Sequence, residues 1–150
     1  MTEPAFRLRK NVKTLLAEAA AKTKGISAEA AQAKLADPNT LFVDIRDVRE
    51  LEREGMIPGA FHAPRGMLEF WVDPESKYYK PVFVPDRTLI LYCASDWRAT
   101  LAAGALADMG MQRVLHLEGG FEEWKKGGRP VGTRPHKEAQ EAPSASAGKT

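Results

Sequence analysis

Thr88-Leu89-Ile90-Leu91-Tyr92-Cys93-Ala94-Ser95-Asp96-Trp97-Arg98 decides how this chain folds. Leu89 to Tyr92 is a short apolar run with a β-branched and an aromatic residue, the pattern of a strand buried on both faces. The one cysteine of the chain, Cys93, follows directly. Arg98 then leads into Ala99 to Met109, where Leu101, Ala102, Ala105, Leu106 and Met109 share one helical face, and Gly110 supplies the stop. The order is strand, cysteine, tight loop, helix. It sets a thiol beneath a ring of backbone N–H groups at the positive end of a helix, where anions bind and thiols ionise more readily. A single cysteine beside a strand is also what a small buried hydrophobe looks like. A reactive thiol needs an electropositive, accessible setting, which the Arg98 spacing and the following helix are expected to supply.

The 150 residues suit one domain with a substantial core. A charged fraction of 28% and a hydrophobic fraction of 43% belong to an ordinary soluble protein. With 22 basic and 20 acidic residues the net charge is +2, which is no polyelectrolyte signal, so nucleic acid is not an expected partner. One cysteine excludes an internal disulfide and any CxxC redox or zinc pattern. His62, His116 and His136 lack ligand spacing and read as structural or solvated, so no metal is expected. No apolar run approaches transmembrane length, and the N-terminus lacks the apolar core of a signal peptide. The expectation is a cytoplasmic protein with no membrane partner.

Working outward, Leu41 to Ile45 reads as another buried strand. Asp47 with Glu50 has the form of a capping box opening a short charged helix that ends near Gly55. Ile57-Pro58-Gly59 turns the chain into a brief strand, Ala60 to His62. Ser27 is an N-cap for a helix through Ala36, and Asp37-Pro38-Asn39 is a turn. Residues 5–24 read as an amphipathic helix with Val12, Leu15, Leu16 and Ala19 as its apolar stripe. It is expected to pack on the domain or on a second copy, its Ala-rich face being too weak for a membrane surface. Residues 65–87 are irregular: Gly66 to Trp71 makes one helical turn or two, and Tyr78, Tyr79 and Phe83 either cover a sheet edge or form a lid or partner surface. Downstream, Arg113 to Leu117 is the last strand, and Glu118-Gly119-Gly120 turns into a final helix carrying Phe121 and Trp124. The alternation predicts an α/β fold with a mainly parallel central sheet of about five strands and helices on both faces. The chain divides into an N-terminal helical extension (1–24), one domain (25–132) and a tail (133–150) whose Pro, Ser, Ala and charge predict disorder.

Four motifs in order carry a family resemblance: Asp44-Ile45-Arg46, Gly55-Met56-Ile57-Pro58-Gly59-Ala60, Cys93 to Arg98, and Glu118-Gly119-Gly120-Phe121 with Trp124 and Gly128-Arg129-Pro130. The chain resembles a rhodanese domain over roughly Gly25 to Val131. Two departures stand out. Met56 replaces the family's usual histidine, a structural change. Asp96 stands where single-domain members often carry glycine; aspartate tolerates a left-handed backbone, but its carboxylate adds negative charge beside the thiolate and opposes anionic donors.

The resemblance implies a sulfurtransferase that carries sulfane sulfur, taken from thiosulfate or a persulfide, as a Cys93 persulfide and passes it to cyanide or a thiol, with no cofactor. The amides of Ala94, Ser95, Asp96, Trp97 and Arg98 and the helix N-terminus would stabilise that anion. Arg98 would anchor the loop or meet the donor, Trp97 would shape access or pack at the helix start, and Arg46 lies near the site entrance or pairs with Asp47 or Glu50. Asp44 is expected to order backbone at a strand end. The alternative is a catalytically weak binding or sensory module of the same fold, acting through the N-terminal helix on a partner protein or as a homodimer. A phosphatase or arsenate reductase ranks last, because the Cys-to-Arg spacing is short and no second cysteine is present.

Overall fold

A computed structural model describes residues 6–134. Beyond Arg134, the expected tail lies outside the described residues. Five strands, β1 (Lys24–Ile26), β2 (Thr40–Asp44), β3 (Phe61–His62), β4 (Thr88–Tyr92) and β5 (Val114–Leu117), form one sheet in the order β1-β5-β4-β2-β3. Every pairing within it is parallel. The helices are α1 (Val12–Lys22), α2 (Ala28–Gln32), α3 (Val48–Glu54), α4 (Leu68–Val72), α5 (Trp97–Asp108) and α6 (Gly120–Lys126), with a 3-10 turn at Arg65–Met67 before α4.

Side-chain alternation along the central strands builds two cores. Leu41, Val43, Leu89, Leu91, Cys93 and Val114 meet Leu68 and Val72 of α4 and Ala99, Ala102, Ala103 and Leu106 of α5. On the other face Phe42, Ile90, Tyr92 and Leu117 meet Ala31 of α2 and Phe121 and Trp124 of α6. Helices therefore cover both faces, as the strand-and-helix alternation predicts.

The second helix ends at Gln32 with Ala33 as its C-cap, four residues short of the expected Ala36, and two further boundaries differ from expectation. The first helix begins at Val12 rather than near residue 5, because the Asn11 side chain accepts the Thr14 N–H at 2.9 Å and caps it there. It packs on α5 of the same chain: a Cβ on Gly104 would stand 2.7 Å from that of Ala19, so the two backbones approach through their smallest residues. Lys22 Nζ donates to both Asp108 carboxylate oxygens at 3.0 Å. Secondly, Lys24–Ile26, expected to end the helix, is an edge strand paired with β5. Three residues with glycine at the centre carry no legible strand period.

The irregular stretch covers the β3 edge. Phe61 lies edge-on to Trp71 and Phe83, at 6.1 and 5.5 Å between ring centroids, and the Tyr79 hydroxyl donates to the Phe83 carbonyl. Met56 is buried and exchanges both backbone hydrogen bonds with Gly132, a structural role.

Candidate functional site

Cys93 ends β4 with its thiol free and only 1% of the residue exposed. The accessible setting expected of a reactive thiol is thus replaced by an occluded one, because Cys93 belongs to the buried core cluster that includes Val43, Leu91 and Ala99. The Asp96 N–H donates to Sγ at 3.2 Å. The carbonyls of Cys93 and Ala94 accept the N–H groups of Phe121 and Glu122 at 2.8 and 3.0 Å, so α6 holds the outer side of the loop. That contact requires glycine at 120: its φ is +62°, and a Cβ there would stand 2.5 Å from the Ala94 oxygen.

Asp96 has φ +100°, the one non-glycine residue with positive φ among the described residues. Its carboxylate does not face the sulfur. Both oxygens lie 2.9 Å from Nδ1 of His116, on β5. His116 is thereby buried and partnered, not solvated.

Arg98 makes a bidentate contact with Glu50 of α3, Nη1 to Oε2 at 2.9 Å and Nη2 to Oε1 at 3.0 Å. This hydrogen bond, the largest cause, raises the Arg98 pKa; burial opposes it, and the charges of Glu50 and, to a smaller extent, Cys93 add to the rise. Glu50 is lowered in turn, first by Arg98. Glu50 also closes the α3 capping box by accepting the Asp47 N–H.

Arg46 pairs with Asp44 rather than with Asp47 or Glu50, and although buried it borders the cleft beside the loop. It is 1% exposed and forms a fork with Asp44, Nε to Oδ1 at 2.9 Å and Nη2 to Oδ2 at 2.7 Å, with Nη2 also donating to the Gly55 carbonyl. Its guanidinium lies 4.4 Å from the Phe121 ring centroid. Burial opposes its charge, but the Asp44 hydrogen bond and charge outweigh this and leave the pKa raised. Asp44 and Arg46 tie the end of β2 to the turn after α3. His62 Nε2 donates to the Arg46 carbonyl at 2.8 Å and completes that brace.

Of the remaining loop residues, Ala94 is half-buried, Ser95 is exposed, and Trp97 is 67% exposed, so it does not pack at the helix start. Beside Ala94 opens a cleft of about 530 Å³, lined among others by Arg46, Glu50, Glu122, Phe121 and Lys125. Its walls carry both signs of charge. The sequence reading missed Glu50 and His116 as neighbours of the loop; the strand period that pairs Val114 and His116 on the Cys93 face was the available signal for the latter.

Residues 27–127 match the Rhodanese-like domain family, and the chain belongs to it. A protein of Allochromatium vinosum named Sulfurtransferase is 34% identical over 107 residues, 71% of this chain and 92% of that one. Two solved structures share the architecture. One, from Rhodopseudomonas palustris CGA009, is described as of unknown function and a possible tyrosine phosphatase; it is 42% identical, covers 86% of this chain and 99% of its own, and has a TM-score of 0.81. The other, the polysulfide-sulfur transferase homodimer of Wolinella succinogenes, is 26% identical over 83% of this chain and 89% of its own, with a TM-score of 0.63. Among the described residues no helix is long and apolar enough to cross a membrane.

Proposed function

We propose that the protein is a sulfurtransferase in which Cys93 is the nucleophile and Ala94 to Arg98 form the anion-binding loop. The observation that carries this reading is the loop hydrogen bond onto Sγ at the head of α5, with Arg98 in the first turn of that helix. The thiolate attacks the outer sulfur of a donor and the donor's S–S bond breaks. Thiosulfate would leave as sulfite, a persulfide as its parent thiolate. The Cys93 persulfide anion then yields its outer sulfur to cyanide or a thiolate, regenerating the cysteine. Glu50, Glu54 and Glu122 around the cleft oppose a dianion, while Arg53, Lys125 and Lys126 beside them suit a donor of mixed charge. Small-thiol or protein-bound persulfides are therefore preferred over thiosulfate.

Intact mass after incubation with glutathione persulfide or thiosulfate, with and without reductant and beside Cys93→Ser, tests this. The expected result is a reducible gain of one sulfur, larger from the persulfide and absent from the variant. No gain from either donor would favour the second reading, a binding or sensory module, which the near-complete burial of Cys93 supports.

A further inference from the structure

Asp96 spends every polar group it has. Its N–H is on Cys93 Sγ, its carbonyl accepts the Thr100 N–H at 2.8 Å to start α5, and both carboxylate oxygens are on His116. It does so in a backbone conformation that costs a non-glycine residue about 1–2 kcal/mol. An acid at the one loop position whose amide touches the sulfur is thus fixed from outside the loop. A carboxylate only accepts hydrogen bonds, so the facing Nδ1 must carry a proton.

We propose that His116 is a positioning residue for the Cys93 loop: its Nδ1–H captures the Asp96 carboxylate, keeps that negative charge off the sulfur, and leaves the Asp96 N–H free to bind it. The residue acts through Asp96 and need not touch the donor. The site keeps an acid where glycine would be easier, and the strand next to β4 supplies what restrains it.

The surroundings of His116 support a one-to-one pairing. Its register partners across the sheet, Leu91 on β4 and Gly25 on β1, are not titratable. From α5 it meets Asp96 and, at 3.4 Å, the Thr100 hydroxyl. Glu118, two residues on from His116 and just past the end of β5, lies against Gly25, and Lys22 is held by Asp108 at the far end of α5 from Asp96.

This inference deepens the reading of Cys93 as nucleophile, but its test reads ionisation, not turnover, so the two can fail separately. Because the chain has one cysteine, the ultraviolet thiolate absorbance, with Cys93→Ser subtracted, titrates that group alone. In His116→Leu the unrestrained carboxylate moves the titration midpoint up by at least about half a pH unit, a roughly threefold loss of thiolate near neutrality. Adding Asp96→Gly to His116→Leu returns the midpoint to the wild-type value or below. A merely structural histidine would not be rescued by removing the acid. An unmoved midpoint, or a rise that Asp96→Gly fails to relieve, would overturn the proposal. Should His116→Leu fail to fold, the imidazole nitrogen resonances of the intact protein decide it: a protonated Nδ1 whose shift changes in Asp96→Asn is expected, and an unprotonated Nδ1 sinks the idea.

Discussion

At the scale of single residues, the site is governed by which charges are already committed. Arg98 would be the natural electrostatic handle for an anionic donor, yet Glu50 holds both of its terminal nitrogens. Such a half-exposed pair adds under about 1 kcal/mol to stability, so its weight falls on the donor rather than on the fold. Glu50→Gln removes one negative charge from the cleft and loosens Arg98. We expect the turnover rate per KM with thiosulfate to rise by roughly threefold or more, with a smaller change for a persulfide donor, whose reacting group carries one negative charge rather than two, at about 1 kcal/mol lost from the α3 cap. Steady-state kinetics with both donors would check it; an equal change in both, or none, counts against the charge argument. Asp96 shows how far a residue's role could be read beforehand. That the loop would accept an acid at a left-handed position was legible, because aspartate's backbone tolerance is local. That the acid would face His116 was not, because the contact depends on the parallel register Leu91↔His116, a pairing between strands separated by a whole helix.

Among elements, β2, α3 and α6 meet at the Asp44–Arg46 fork. Both side chains are buried, so removing one leaves a charge stranded rather than merely unpaired. Arg46→Ala should cost about 3–5 kcal/mol in urea unfolding, whereas Asp44→Asn combined with Arg46→Leu should cost distinctly less. Equal losses would show that the fork matters for shape, not charge. Of the elements that carry these residues, β2 was legible as an apolar run and α3 from its cap, since Asp47 with Glu50 began it as read, while α6 opens at Gly119 with no side-chain cap and was legible only from the Gly119-Gly120 turn before Phe121 and Trp124. What escaped was β1, whose three residues become a strand only because β5 offers an edge, and the true start of α1, which Asn11 sets against the weaker signal of a longer apolar stripe.

For the molecule as a whole, the hydroxyl of Tyr92 reports on the integrity of the fold. It lies in the core facing α6 and accepts the Ile57 N–H at 3.0 Å. Burial first, then the Asp44 charge, push its pKa well above the usual value. A group raised on folding contributes stability that is fully present below its unfolded pKa, about 10, and that fades as pH climbs past it. Stability should therefore decline above about pH 10, with the Tyr92 tyrosinate absorbance appearing only together with unfolding. Tyr92→Phe should flatten that decline while losing about 1 kcal/mol at neutral pH through the orphaned Ile57 amide. A tyrosinate signal from Tyr92 in the folded protein would contradict the burial argument.

The sheet topology also bears on the expected order of assembly. β1 pairs only with β5, about ninety residues further along the chain, and the same late segment brings His116 to Asp96 and the α6 amides to the Cys93 and Ala94 carbonyls. A contact between the first and last strands carries a large loop-closure entropy and forms after the local units. During synthesis, β4 and its cysteine are made well before the strand and helix that enclose them. The emerging polypeptide thus passes through an interval in which the thiol is bare to oxidants, and the last fifth of the described chain ends that exposure as it docks.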